Sequence, residues 1–335
     1  MSPRIVVAGY DARGTGAAAA VAREMADSIG GAVDVVVLVP SAIPGTVEAF
    51  VEEAGLAGRA ERVVAYELPP GHAYSGVTVA DALVDAAAGN DVSAVVLADG
   101  PFAREAAART AVRLDGACAS MCSTVEAVAG NLVSVTRPAY GGVALAHLTL
   151  KASPAVVVLA PGGASAGTAT GGAAPAVERK ALTVSEVAGR VTVLDETPVV
   201  KTCDLEHAKV VVSVGRGFAK PADLEIIDDL VGLLDAEVGC SRPIAEDFKW
   251  LAKEHLVGLT GATVTPDLYL ALGISGQVQH LAGIKGAKIV AAVNSDGRSP
   301  ILKNADYALV GDLYKVVPAL TEHLRKRKAN GGAGG

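Results

Sequence analysis

The sequence predicts an α/β protein built from two doubly wound parallel-sheet domains, the C-terminal one Rossmann-like. Three observations predict it. Short β-branched runs alternate with Ala-rich amphipathic stretches, which is the βαβ pattern of a parallel sheet covered on both faces. Half of the 335 residues are hydrophobic (51%) while only 4% are aromatic, and that mixture suits buried Val-rich strands under Ala-rich helices better than a β-sandwich. The alternation also stops and restarts around a segment, 161–176 (PGGASAGTATGGAAPA), that cannot build a core and reads as a loop or linker. The expected boundaries are an N-terminal domain over 1–200 and a C-terminal domain over 205–329. The tail 330–335 is expected to be disordered.

In the first half, RIVVAG (4–9), DVVVLVP (34–40), RVVAYEL (62–68) and SAVVLAD (93–99) read as strands. Between them GAAAAVAREMADSIG (16–30), GTVEAFVEEAG (45–55) and VTVADALVDAAAG (77–89) read as helices, and REAAARTAVRLD (104–115) as a fourth. From 117 to 160 Ser, Thr and β-branched residues increase, with Arg137-Pro-Ala-Tyr-Gly-Gly142 as a hairpin or turn, before the strand AVVVLAP (155–161). VTVLDET (191–197) reads as strand-like.

In the second half KVVVSVG (209–215) is a strand and PADLEIIDDLVGLLD (221–235) a helix with proline at its first position, where a missing N–H costs nothing. EVGCSRP (237–243) and LVGLTGATV (256–264) each suggest a short strand. DLYLALGIS (267–275), GAKIVAAVN (286–294) and DYALVGD (306–312) are three more, and the chain closes on a helix ending His323-Leu-Arg-Lys-Arg-Lys328. Cations there complement the helix dipole. A ligand site is expected at the carboxyl ends of this second set of strands.

Composition excludes some partners. A net charge of −7 without a basic patch argues against nucleic acid. No uninterrupted apolar run approaches 18 residues, so no membrane insertion is expected. MSPRIVVAGYD starts on a strand without a charged leader, so a cytoplasmic address is expected. Cys118, Cys122, Cys203 and Cys240 form no CxxC pair; Cys118 and Cys122, at i, i+4, read as small buried hydrophobes.

The densest polar cluster is LGISGQVQHLAG (272–283). A nucleophile elbow needs Gly-x-Ser-x-Gly, and Gln277 stands where the second glycine belongs. His280 lacks a metal-ligand partner at helical spacing. The remaining reading is an anion cradle: a strand ends at Ile274, a helix starts at Gly276, and backbone N–H groups plus the Ser275 hydroxyl meet a phosphate. Gly215-Arg-Gly217-Phe-Ala-Lys220 fails as a dinucleotide fingerprint because Lys220 replaces the third glycine, and no acidic residue with a clear ribose role follows about 20 residues on.

With LYLALGISGQVQHLAGIKGAKIVAAVN (268–294), flanked in order by VSVGRG (212–217), GCSRP (239–243), VGLTG (257–261) and ADYALVGDLYKVVP (305–318), the chain resembles the alpha subunit of electron transfer flavoprotein. The resemblance implies an FAD-binding C-terminal domain at an interface with a beta subunit. It places Arg216 near the FAD phosphates, and Ser241 and Arg242 at flavin-contacting positions. Val257, Gly258, Leu259 and Thr260 follow, with the Thr260 hydroxyl facing the ring. Ser275, Gly276, Gln277, Val278, Gln279 and His280 form the turn on the pyrophosphate and ring; Asn294, Asp312 and Leu313 fall on the adenosine side. A guanidinium (Arg242) and an imidazole at the C2 carbonyl (His280) would favour negative charge on the ring. One departure stands out: Leu259 occupies a position where many family members carry Gln.

The resemblance implies an electron carrier rather than an enzyme with its own substrate, with a flavoprotein dehydrogenase as donor and a quinone oxidoreductase as acceptor. Some members instead bifurcate electrons from NADH using a second FAD in the beta subunit, and GCSRPIAED is similar to that group. The competing readings are a nicotinamide-dependent dehydrogenase and a module that senses an adenine nucleotide.

Overall fold

The computed structural model describes residues 2–40, 46–72, 74–128, 132–161, 171–192 and 203–329. The chain divides into two units, Met1–Thr197 and Pro198–Gly335.

The first unit runs β1 (Arg4–Ala8), α1 (Ala12–Ile29), β2 (Ala32–Pro40), α2 (Thr46–Glu53), β3 (Arg62–Leu68), α3 (Gly76–Ala87), β4 (Val92–Leu97), α4 (Ala103–Arg113) and β5 (Ala117–Cys122). An antiparallel meander follows, β6 (Thr124–Val128), β7 (Leu132–Ala139) and β8 (Ala144–Leu150), then β9 (Ala155–Leu159), β10 (Ala176–Ala181) and α5 (Glu186–Gly189). The main sheet is parallel with strand order β10-β3-β2-β1-β4-β9-β5. Alternate residues of its strands point to opposite faces. Ile5, Val7, Val35 and Val96 meet Ala18, Ala22 and Met25 of α1 on one face, and Val6, Val36, Val64 and Val95 meet Leu83 of α3 and Ala107 of α4 on the other. Small alanines let helices approach the Val-rich sheet closely, which is why so little aromatic bulk is needed.

One strand here has no counterpart in the sequence reading, and one expectation fails. Residues 176–181 (AVERKA), which begin where the expected loop ends, form a strand: β10 is an exposed edge whose charged side chains are tied by Glu178 to Arg62, Arg179 to Glu48 and Lys180 to Asp85. Such an edge carries no hydrophobic period to read. Cys118 and Cys122, both expected to be buried, lie on β5, where Cys122 is buried but Cys118 is exposed. The strand-like 191–197 lies mostly outside the described residues, as do most of 161–176 and the tail.

The second unit runs β11 (Val210–Val214), a 3₁₀ turn (Pro221–Ile227), α6 (Asp228–Leu234), β12 (Glu237–Cys240), a single π turn (Pro243–Asp247), β13 (Leu268–Leu272), α7 (Val278–Ile284), β14 (Ile289–Asn294), α8 (Pro300–Lys303), β15 (Tyr307–Val310) and α9 (Leu313–Ala329). All five strands are parallel, in the order β12-β11-β13-β14-β15. Leu230, Leu313 and Val317 pack one face, and Ile284, Ile301 and Leu302 the other.

The expected helix over 221–235 is split, its first turns tightened to 3₁₀ where the Tyr314 hydroxyl holds Asp223 at 2.6 Å. The strand expected within 256–264 is reduced to isolated bridges, Cys240 with Leu256 and Val257 with Ala262. There the chain doubles back on itself: Gly258 N–H donates to the Ala262 carbonyl at 3.1 Å and Ala262 N–H to the Leu256 carbonyl at 2.7 Å.

Candidate functional site

In a sheet ordered 2-1-3-4-5 the crossovers leave the first strand in opposite directions, and the crevice beyond the carboxyl ends of the first and third strands is where ligands bind. In the second unit those strands are β11 and β13. Their ends carry two turns, Gly215–Gly217 and Gly273–Gln277, pressed together backbone to backbone. Gly217 N–H donates to the Gly273 carbonyl at 3.0 Å, and a Cβ on Gly217 would sit 2.6 Å from Gly273 Cα. Gly276 has φ of +78°, and any Cβ there would overlap the Ile301 backbone nitrogen. Side chains are thus excluded at the floor of the crevice, which leaves backbone to face a ligand.

The sequence-predicted residues cluster on this edge. Arg216 is exposed at the tip of the β11 turn; Ser241 is buried and Arg242 exposed just past β12. Ser275, Gln277, Val278 and Gln279 are exposed beyond β13, and Gly276 is buried. Asn294 ends β14; Asp312 is exposed and Leu313 buried where α9 begins after β15. Val257 to Thr260 reach the group sideways: Val257 N–H donates to the Cys240 carbonyl at 2.9 Å, and Leu259 N–H to the Gln279 carbonyl at 2.8 Å. Val257 and Gly258 are buried, while Leu259 and Thr260 are exposed. Gly258 and Gly283 pack so closely that a Cβ on Gly283 would lie 2.6 Å from Gly258 Cα.

Several side chains stand differently from the sequence expectation. The helix after the turn starts at Val278, not Gly276, with Gln277 as an N-cap that makes no side-chain capping bond. At seven residues it is too short for a strong dipole, so backbone geometry rather than a macrodipole dominates the turn. Asn294 is committed within the protein: Nδ2 donates to the Ile274 carbonyl at 2.7 Å and to Ser299 Oγ at 3.2 Å, and Oδ1 accepts from Asp296 N–H. Asp312 caps α9 by accepting from Tyr314 N–H at 2.9 Å. Arg242 is not free over the crevice, because its Nε donates to Glu246 at 2.6 Å.

His280 differs most. It is buried, Nε2 lies 2.9 Å from the Tyr269 hydroxyl, and Nδ1 is buried without a hydrogen-bond partner. Burial pushes its pKa down to about 4, with the Val257 backbone acting weakly in the opposite direction. The imidazole is therefore neutral near pH 7, with Nε2 against the Tyr269 hydroxyl and Nδ1 buried.

Nothing in the sequence singles out Ser299. It is buried and donates to the Ser275 carbonyl at 2.8 Å, and Ile301 N–H reaches the same oxygen at 3.1 Å. Lone serines in Gly/Pro-rich loops give no period or motif that would single one out.

The electron transfer flavoprotein domain family matches residues 12–187, and the electron transfer flavoprotein FAD-binding domain family matches residues 204–285. The chain belongs to the electron transfer flavoprotein alpha-type family. YdiR of Escherichia coli K12 is 42% identical over 223 residues, 66% of this chain and 70% of that protein. The electron transfer flavoprotein subunit alpha of Syntrophomonas wolfei is 39% identical over 235 residues, covering 70% of this chain and 73% of its own. FixB of E. coli O9:H4 is 35% identical over 66% of this chain and 70% of that protein. As an electron transfer flavoprotein, this chain uses FAD, and 204–285 is its FAD-binding domain.

The residues present suit that cofactor. A dinucleotide needs close backbone approach at its phosphates and a cation nearby, and the crossed glycine turns beside exposed Arg216 supply both. The buried, unpaired His280 Nδ1 is a polar atom without a partner inside the protein. Among the described residues no group of three or more His, Cys, Asp or Glu is placed to hold a metal ion, and no helix is long and apolar enough to cross a membrane.

Proposed function

We propose that this chain carries FAD at the β11/β13 switch point as the alpha subunit of a heterodimer with an electron transfer flavoprotein beta subunit. In this reading it accepts electrons from a flavoprotein dehydrogenase and passes them to a quinone oxidoreductase. The observation that carries the proposal is the convergence of five family segments on one sheet edge, around a glycine-lined crevice. The S. wolfei relative, named a subunit alpha, supports a second subunit.

The bound flavin would supply the electron-accepting and electron-donating ring; the chain supplies position and charge. Gly215, Gly217, Gly273 and Gly276 let the backbone approach the pyrophosphate, with Arg216 as its cation. Ser241 and Arg242 stand at the flavin end, where the guanidinium favours negative charge on the ring and Glu246 moderates it. Val257, Gly258, Leu259 and Thr260 wall the same end, Thr260 offering a hydroxyl and Leu259 an apolar face where glutamine would have donated. Ser275, Gln277, Val278 and Gln279 line the turn; Asn294 and Ser299 fix that turn from beneath, and Asp312 and Leu313 close the adenosine side.

Flavin absorbance of the purified complex, followed by FAD counting, tests this. Bound FAD is expected; a colourless complex that takes up no FAD would overturn the proposal. One FAD per heterodimer supports the simple carrier, and two supports electron bifurcation from NADH, to which GCSRPIAED points.

A further inference from the structure

Behind the crevice lies a line of buried polar atoms that the cofactor contacts proposed above do not use. Ser213 on β11 is fully buried and its Oγ lacks a well-formed hydrogen bond. Tyr269 on β13 is also fully buried, and its hydroxyl lies 2.9 Å from His280 Nε2 with ring centroids 6.0 Å apart. The line ends at His280 Nδ1, which has no partner. Buried polar atoms are normally paired, so each gap needs a reason.

We infer that Tyr269 is a positioning residue for His280: its buried hydroxyl donates to Nε2, so the neutral imidazole carries its one proton on Nδ1.

Two directions of hydrogen bonding are open to the line, and its surroundings separate them. If Nε2 carried the proton, Nδ1 would be a buried lone pair needing a donor. Nδ1 has no such donor, and the nearby Val257 N–H is already spent on the Cys240 carbonyl. At the other end, a phenol O–H is a stronger donor than an imidazole N–H and an imidazole nitrogen a stronger acceptor than a phenol oxygen, so across the 2.9 Å contact the tyrosine proton points to Nε2. Burial also raises the Tyr269 pKa, so the hydroxyl stays protonated. The order Tyr269 to His280 therefore leaves a single N–H donor at Nδ1.

The consequence is a ring held as a fixed neutral dipole beside the Val257–Thr260 wall, with formal positive charge at the site left to Arg216 and Arg242. This functional meaning rests on the FAD reading, whereas the tautomer itself does not.

The test is a long-range proton–nitrogen correlation spectrum of the full chain, purified with its partner and its FAD and labelled with nitrogen-15 histidine. The His280 signals are assigned by their loss in His280→Gln. A pyrrole-like Nδ1 and a pyridine-like Nε2 are expected. In Tyr269→Phe, which keeps the ring and removes the hydroxyl, the pattern should move toward protonated Nε2, and FAD affinity should fall about fivefold, the size of one lost hydrogen bond. A pyrrole-like Nε2 in the unaltered protein would overturn the inference, as would an unchanged tautomer in Tyr269→Phe. If that variant fails to fold, the unaltered protein alone still decides. A colourless protein with a pyrrole-like Nδ1 would instead remove the FAD reading and leave the tautomer standing.

Discussion

Both units place a switch point between two adjacent parallel strands, yet they treat it in opposite ways. In the first unit the crevice between the ends of β1 and β4 is filled by aromatic side chains. Tyr10 packs edge-on against Tyr74 at 5.2 Å, Tyr74 against Phe102 at 6.0 Å, and the Tyr74 hydroxyl donates to the Gly9 carbonyl at 3.2 Å. The cavity left there is only about 10 Å³, room for no more than about one water. In the second unit the equivalent edge is floored by glycine turns and rimmed by Arg216, Arg242, Ser275 and Thr260. One architecture thus carries packing in one unit and the proposed cofactor cradle in the other. Function resides in the loops grafted on the strands, not in the sheet.

The sharpest way to break this comparison is to add one methyl group to each crevice. Gly276→Ala forces a side chain at φ +78° onto the Ile301 backbone. A loss of roughly 2–4 kcal/mol of stability and most FAD binding is expected in denaturant titrations and absorbance. Gly100→Ala in the first unit meets only Tyr10 Cβ at 3.2 Å and should cost less than about 1 kcal/mol with FAD retained.

Next in size is the buried histidine. His280 takes up its proton near pH 6.5 in the unfolded chain but only near about 4 when folded. Between those values the unfolded state binds more protons, so stability falls as pH drops through that window and levels off below it. The loss should reach roughly 3 kcal/mol, and His280→Gln should remove the slope from urea titrations at stepped pH.

Tyr74→Ala hollows the aromatic plug and should cost roughly 2 kcal/mol while leaving the flavin spectrum and potential unchanged. A changed potential would mean that the two crevices are not independent. The smallest effects should come from the exposed Arg242–Glu246 pair. Arg242→Ala should lower the flavin potential by roughly 30–60 mV and Glu246→Gln should raise it, with little change in stability for either. Spectroelectrochemical titration reads both.

Much of this was legible in the sequence because it follows from periodicity. Val-rich runs between Ala-rich helices mark the strands of both sheets, and the glycine-edged turn after Leu272 marks the cradle. What escaped was decided by tertiary contact. Nothing local to AVERKA shows that it will find an edge beside β3, and the pattern of LVGLTGATV cannot show that Ala262 returns to bond Leu256 and Gly258. The bonds of the Asn294 amide to Ile274 and Ser299 are tertiary contacts of the same kind. The burial of His280 against Tyr269, eleven residues earlier on a neighbouring element, is likewise set by tertiary contact.

The most direct test of the central claim is hydrogen–deuterium exchange of the full chain with and without FAD. Protection should appear at 215–217, 241–242, 257–260 and 275–280 and be absent at 9–11 and 98–102. Protection at the aromatic crevice of the first unit, or none at the glycine crevice of the second, would contradict the account.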